Sequence, residues 1–174
     1  MKIRFHKISI TLGTITAICF SLTVVASHAA KLIQLSDLQY LGAFRVPQGT
    51  TDTNTFNYGG TSLAFNPANN SLFMTGHVLH QLSSEIKIPA IVNSTNINNL
   101  NTAAILQQFR DPTEGKLNSI NPSDPNSKKV GGHFIYNGKL YVTGYSYYDG
   151  AVTQKTSHFV RPTNLSTSGQ VSAA

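Results

Sequence analysis

The feature of this 174-residue sequence that most constrains its fold is an internal repeat. Residues 59–77 run through Gly-Gly, an apolar segment, an Asn-containing turn, a second apolar segment and Thr-Gly-His, and residues 131–145 follow the same order to Thr-Gly-Tyr. The two Gly-Gly pairs begin at positions 59 and 131, which are 72 residues apart. Self-similarity at this spacing indicates a structural unit that the chain uses twice.

The repeat extends beyond these two segments. Residues 84–89 match residues 157–162, and each stretch ends in a proline, which cannot donate to a β-ladder and therefore ends a strand. Residues 106–112 match residues 41–47 in the same way. The matches predict units of four strands, with first strands at 61–65 and 131–136, second strands at 71–77 and 139–146, third strands at 82–88 and 154–161, and fourth strands at 41–46 and 104–110.

Turn chemistry and composition favour antiparallel strands. Asn137-Gly138 is typical of a type I′ hairpin turn, because both residue types readily adopt positive φ angles. Outside the termini the chain is rich in Asn, Ser, Thr, Gly, Tyr and Phe, and it shows no convincing amphipathic helix. The sequence therefore predicts an all-β fold of antiparallel four-stranded meander repeats, a partial β-propeller of about two blades. The alternative is a β-sandwich or barrel whose hairpins share turn chemistry by chance.

The N-terminus has the three parts of a secretory signal peptide. Basic residues lie within positions 2–7, positions 8–25 carry no charge, and small residues occupy the cleavage positions in 27–29. We expect a signal-peptide helix at 1–29 and a secreted or periplasmic β-propeller-like domain at 30–174, which meets the membrane only transiently through its signal. A retained membrane anchor is the alternative.

Removal of this segment changes the cysteine count and the charge. Cys19 is the only cysteine, so the mature chain would contain neither disulfides nor thiolate chemistry. Three of the 13 basic residues and none of the 7 acidic residues leave with it, and the net charge falls from +6 to +3. The remaining basic residues form no cluster, and this argues against a nucleic-acid partner.

The Gly-Gly, strand, Asn-Pro turn, strand pattern resembles exported bacterial β-propeller-like proteins of the broad six-bladed type, over about residues 38–174. The resemblance implies a ring of blades and brings no catalytic residues with it. The chain opens on a lone closing strand at 41–46 and ends after a third strand, where a fourth is expected. We therefore expect a truncated piece of a longer propeller, or else a small protein that assembles its ring from several subunits. Exposed strand edges would favour self-association.

Propeller topology predicts that the second-to-third and fourth-to-first connections share one face, which usually carries the site. From that face we select four ligand-binding candidates: His133 on an innermost strand, His77 at a strand end, Tyr147 beyond a tyrosine-rich strand, and Asp149. The whole face collects His77, His80, Asp111, Glu114, Asp124, His133, Tyr147, Tyr148 and Asp149. A packed histidine and inter-blade tyrosine packing are the structural alternatives.

Two functional hypotheses follow from this set. The first is an exported binding or scaffold module for a glycan, a peptide or a partner protein. The second is a metal-dependent exported propeller hydrolase or lactonase-type enzyme, in which His77 and His80 are joined by His133 or Asp149 as the third ligand. Strand-end histidines are more often loop anchors, so we assign no metal ligand, and the cofactor stays unknown. Neither a Ser-His-Asp order nor a Gly-x-Ser-x-Gly motif is present.

Overall fold

The computed structural model describes residues 32–60, 62–124, 127–150 and 156–173. The predicted signal peptide at 1–29 lies outside these residues. The chain divides into two compact units, Met1–Leu38 and Gln39–Ala174. In the first unit, a 3₁₀ turn at Leu35–Asp37 is closed by the Gln34 N–H, which donates to the Asp37 carboxylate at 3.0 Å. A search of the described residues found no helix with the length and apolar character needed to span a membrane.

The second unit consists of two four-stranded antiparallel sheets, which confirms the predicted all-β meanders. In each sheet the strands are neighbours in chain order and pair antiparallel. Sheet A contains β1 (Leu63–Asn66), β2 (Ser71–Thr75), β3 (Ser83–Lys87) and β4 (Ile105–Arg110). Sheet B contains β5 (Lys128–Tyr136), β6 (Lys139–Ser146), β7 (His158–Pro162) and β8 (Ser172–Ala173).

The strands differ from the predictions at two places in sheet B. β5 begins at Lys128, ahead of the Gly-Gly pair, because Lys128 already pairs with Ser146 at the end of β6. The ladder then has an irregularity between Val130 and Gly132. The expectation that no fourth strand follows was wrong: the short β8 pairs with β7 through Val160 and Ser172.

The predicted closing strand at 41–46 joins neither sheet as a ladder. Its residues make isolated bridges instead: Ala43 bridges Val92 in an antiparallel manner, and Arg45 bridges Thr102 in a parallel manner. The segment is thus held to the connection between β3 and β4.

The ladders also correct the repeat alignment. Ala64 lies opposite Phe73 in sheet A, and Phe134 lies opposite Tyr141 in sheet B. Because Tyr141 matches Phe73 in the repeat, Phe134 occupies the place of Ala64, two residues from the position that the Gly-Gly alignment gives. The turn of sheet A is longer than the Asn137-Gly138 turn, and this accounts for the shift. A two-residue shift leaves every side chain on its predicted face.

Two details explain motifs of the repeat. Asn137 and Gly138 have φ angles of 47° and 70°, as a type I′ turn requires. A Cβ atom at Gly144 would lie only 2.6 Å from Ile120 Cδ1, and one at Gly76 only 2.6 Å from the ring of Phe109. In each unit the glycine of the Thr-Gly pair therefore admits a close apolar neighbour that a Cβ atom would displace.

The two sheets pack against each other around one apolar core. The core includes Phe73 of sheet A, whose side of that sheet we call the front, and Leu140, Val142 and Phe159 of sheet B, whose side of that sheet we call the back. The buried members of the core are Ala64, Phe73, Leu117, Ile120, Val130, Leu140, Val142, Phe159, Leu165 and Val171. The opposite faces, the back of sheet A and the front of sheet B, keep exposed apolar side chains.

Candidate functional site

The candidate site lies along one edge of the sheets, which we call the rim: residues 58–60, 76–82, 127–129 and 145–150. Lys129 joins its parts, since its backbone pairs with Tyr145 and its ammonium group donates to the Val78 carbonyl oxygen at 3.1 Å. The Tyr147 N–H donates to the Ser127 carbonyl oxygen at 2.8 Å. The connections after β2 and β6, which the sequence analysis assigned to one face, are therefore tied to the same end of β5.

An aromatic cluster forms the first part of the rim. The rings of Tyr58 and His77 meet edge to face with centroids 5.6 Å apart, and those of His77 and His80 lie 5.2 Å apart. The Tyr58 side chain is 83% exposed. His77 Nδ1 accepts from the Leu79 N–H at 3.1 Å, which places the proton of the neutral ring on Nε2. The cluster therefore presents aromatic ring surface to solvent, chiefly through Tyr58 and His80.

Two tyrosines continue the exposed surface beyond β6. Tyr147 is 81% exposed, and its neighbour Tyr148 is exposed as well. The Ser146 hydroxyl donates to the Tyr148 carbonyl oxygen at 3.1 Å and holds the backbone of this turn in place. The half-buried Asp149 follows. Of the four selected residues, the structure places His77, Tyr147 and Asp149 in the rim.

His133 lies elsewhere, between the sheets. Its Nδ1 is 3.0 Å from the Ser62 hydroxyl, and its Nε2 is 3.0 Å from the Ser83 hydroxyl. Burial lowers the pKa of His133 from 6.5 to about 4, so the ring is neutral near pH 7. Both ring nitrogens are engaged within the protein. His133 therefore links sheet B to sheet A, and the ligand contact that the sequence analysis assigned to it has no free nitrogen to use.

The serines beside His133 resemble the partners of a nucleophilic pair, but their surroundings exclude that role. Ser62 and Ser83 are both buried, and the Ser62 hydroxyl is also bonded to the buried Thr75 hydroxyl. A nucleophile must reach its substrate. These hydroxyl groups instead satisfy the polar atoms of His133 inside the interface between the sheets.

A small cavity of about 140 Å³ lies beneath the rim. The buried Lys128 donates to the backbone and side-chain oxygens of Asn118, at 3.2 and 3.3 Å. Gln81 accepts from the Val130 N–H at 2.6 Å and donates to the Val78 carbonyl oxygen at 2.5 Å. The sequence analysis did not select Gln81 or Lys128, because the pairing of Lys128 and the bond from Val130 to Gln81 depend on the early start of β5.

A second polar centre, also missed by the sequence analysis, lies around the buried Glu85 in sheet A. Burial raises the pKa of Glu85, but bonds from Ser71, Gln107, Asn69 and Asn66 outweigh this and hold the pKa below its usual value. The Gln107 amide also donates to the Thr163 carbonyl oxygen at 2.9 Å and accepts from the Leu165 N–H at 2.7 Å. Glu85 thus anchors a second polar link between the sheets, at the base of an open groove of about 1110 Å³.

The described residues offer no assembled metal centre. Nowhere among them do three His, Cys, Asp or Glu side chains gather in a way that could hold a metal ion. The hydrolase hypothesis named His133 or Asp149 as the third ligand beside His77 and His80, and both ring nitrogens of His133 lie within hydrogen-bond distance of serines instead. Comparisons of the chain with protein-family models, with curated proteins and with solved structures found no match.

Proposed function

We propose that this chain is an exported binding module, in which two β-propeller blades present a rim that binds a neutral glycan. The observation that carries the proposal is the row of exposed aromatic rings on one edge: the Tyr58, His77 and His80 cluster, followed by Tyr147 and Tyr148. The apolar faces of sugar rings stack on such side chains, while the tyrosine hydroxyls remain in contact with water.

The sheets support the interpretation as blades. Each is a four-stranded meander in which neighbouring strands are consecutive, and the two share a repeat and pack face to face. This is the arrangement of successive blades in a propeller. Export is supported by the charge and hydropathy pattern of residues 1–29, the layout of a bacterial-type signal peptide.

The basic groups of the rim favour a neutral ligand over an anion. Lys128 and Lys129 both donate to oxygen atoms of the protein, to Asn118 and to Val78 respectively. An ammonium group that is already bonded gains less from an anion than a free one does. The exposed rings are therefore the chief binding elements available at this edge.

The test is binding of the protein, purified from the periplasm of an expression host, to a panel of immobilised neutral glycans. For a glycan that binds, Tyr147→Ala and Tyr58→Ala should each weaken affinity by about two- to tenfold, which corresponds to roughly 0.5–1.5 kcal/mol per stacked ring. The matched control is Tyr40→Ala. Tyr40 is also exposed, but its hydroxyl donates to the Ser94 carbonyl oxygen, in the connection that leaves β3 at the opposite edge.

Two results would contradict the proposal. One is an absence of binding across neutral glycans of different linkage and composition. The other is glycan binding that both rim variants leave unchanged, since the ligand would then occupy a different surface.

A further inference from the structure

Among the described residues, two faces of the two-sheet unit keep large apolar side chains exposed. On the front of sheet B, the rings of Phe134 and Tyr136 are nearly parallel with centroids 6.1 Å apart, and Tyr141 lies 6.2 Å from Phe134. Phe134 is 60% exposed. On the back of sheet A, Leu63 and Phe65 of β1 are 56% and 52% exposed, whereas Ile86 of β3, on the same face, is buried. Large rings and aliphatic chains seldom remain in water over a continuous face without a partner.

The repeat shows what kind of surface each face fits. The front of sheet A, with Phe73, is buried against the back of sheet B, with Leu140 and Val142. Tyr141 is the repeat equivalent of Phe73. The exposed front of sheet B therefore corresponds to the front of sheet A, which is buried against sheet B.

The same relation holds at the other end of the unit. Leu72 and Met74 of sheet A match Leu140 and Val142 of sheet B, and they lie on the same face as Leu63 and Phe65. The exposed part of the back of sheet A thus corresponds to the buried back of sheet B. Packing the front of sheet B in one copy on the back of sheet A in another copy would repeat the interface that the two sheets form within the chain.

We infer that copies of this chain associate head to tail, with the front of sheet B in one copy packed on the back of sheet A in the next. A second copy is the partner that fits, because every copy carries both halves of an interface already formed once within the chain. Such a contact is heterologous, and it closes into a ring when the rotation per copy divides a full turn. Since propellers have about four to eight blades, closure takes two to four copies. This assembly uses sheet faces rather than strand edges, and it is independent of glycan binding.

The test is the molar mass of the exported protein, measured by light scattering after size exclusion. The wild type should show a discrete mass of two to four chains. Phe134→Lys blocks the front face and Phe65→Lys blocks the back face, and each variant alone should have the mass of one chain. An equimolar mixture of the two should form a dimer and nothing larger, because one unblocked front and one unblocked back remain.

The control is Ile97→Lys, which introduces the same charge at a position that is 62% exposed, in the connection between β3 and β4. It should keep the wild-type mass. Three results would overturn the inference: a wild type that is monomeric up to high micromolar concentration, a single blocked variant that keeps the wild-type mass, or a mixture that stays monomeric. A dimer lost only in Phe134→Lys would indicate a symmetric front-to-front contact instead.

A measurement on the unaltered protein guards against variants that fail to fold. Amide hydrogen exchange, followed as the concentration rises, should slow in β1 and β5 together. Slowing confined to the outer strand β4 or β8 would point to edge pairing and would also overturn the inference.

Discussion

The half-buried His133, whose ring lies between the two sheets, should make the stability of this protein depend on pH above the range in which carboxylates titrate. In the folded chain its pKa is lowered to about 4, against 6.5 for an ordinary histidine. Above pH 6.5 the ring is neutral in both the folded and the unfolded chain. Between 6.5 and about 4 the unfolded chain binds a proton that the folded chain does not, so stability falls as the pH falls.

The size of the effect follows from the two pKa values. A difference between 6.5 and about 4 corresponds to roughly 3 kcal/mol of unfolding free energy, of which about 2 kcal/mol is lost by pH 5. The measurement is urea unfolding, followed by circular dichroism at fixed protein concentration between pH 8 and pH 5. His133→Asn has no ring to protonate, and its unfolding free energy should be lower at pH 8 but nearly flat across this range.

The control replaces the exposed His158, whose Nδ1 is 2.9 Å from the Ser157 hydroxyl on the adjacent residue. His158→Gln should keep the wild-type slope. If His133→Asn keeps that slope too, the burial of His133 between Ser62 and Ser83 does not control the pH dependence, and the argument is refuted.

Two further predictions concern packing and the second polar centre. Glu85→Ala leaves the donor groups of Asn66, Ser71 and Gln107 without their acceptor. In the same urea assay it should lower the unfolding free energy by about 3 kcal/mol at pH 7. A loss below about 1 kcal/mol would refute the role of this centre. Because the pKa of Glu85 is held below its usual value, its contribution should disappear as the pH falls below about 4.5, a loss that Glu85→Gln should not show. Gly144→Ala places a Cβ atom against Ile120 and Leu117 and should lower the unfolding free energy by about 1–3 kcal/mol. Gly132→Ala should lower it less, because its Cβ atom would lie near the Thr143 hydroxyl at 3.2 Å. Equal losses for the two glycines would contradict the close approach at Gly144.

The sheets could be predicted from the sequence because their signals are local. Strict alternation along β6 and the Asn137-Gly138 turn define a hairpin without reference to the rest of the chain. β8 could not be predicted, since Ser172 and Ala173 have no strand pattern and pair only because β7 lies beside them. The same dependence on neighbours explains why 41–46 has a strand-like sequence but forms only isolated bridges.

The site was harder to predict because it depends on burial. Glutamate is rarely buried, and no local pattern around Glu85 indicates that the fold encloses its side chain. Its partners come from the Asn-rich turn after β1, where Asn66 and Asn69 were interpreted only as turn formers. His133 was correctly placed on the first strand of its unit, but its orientation toward Ser62 and Ser83 follows from how the two sheets pack.

The two polar links between the sheets have a geometric consequence. Apolar contacts resist separation but allow sliding, whereas a hydrogen bond has a preferred direction. One link runs from His133 to Ser62 and Ser83, and the other runs from Gln107 to residues 163 and 165. Because these two links lie at separate points, together they restrict both sliding and rotation of one sheet relative to the other, and so they fix the angle between the sheets. In the proposed ring, an error in the angle between neighbouring sheets would accumulate with every sheet added. The two polar links therefore determine how accurately such a ring can close.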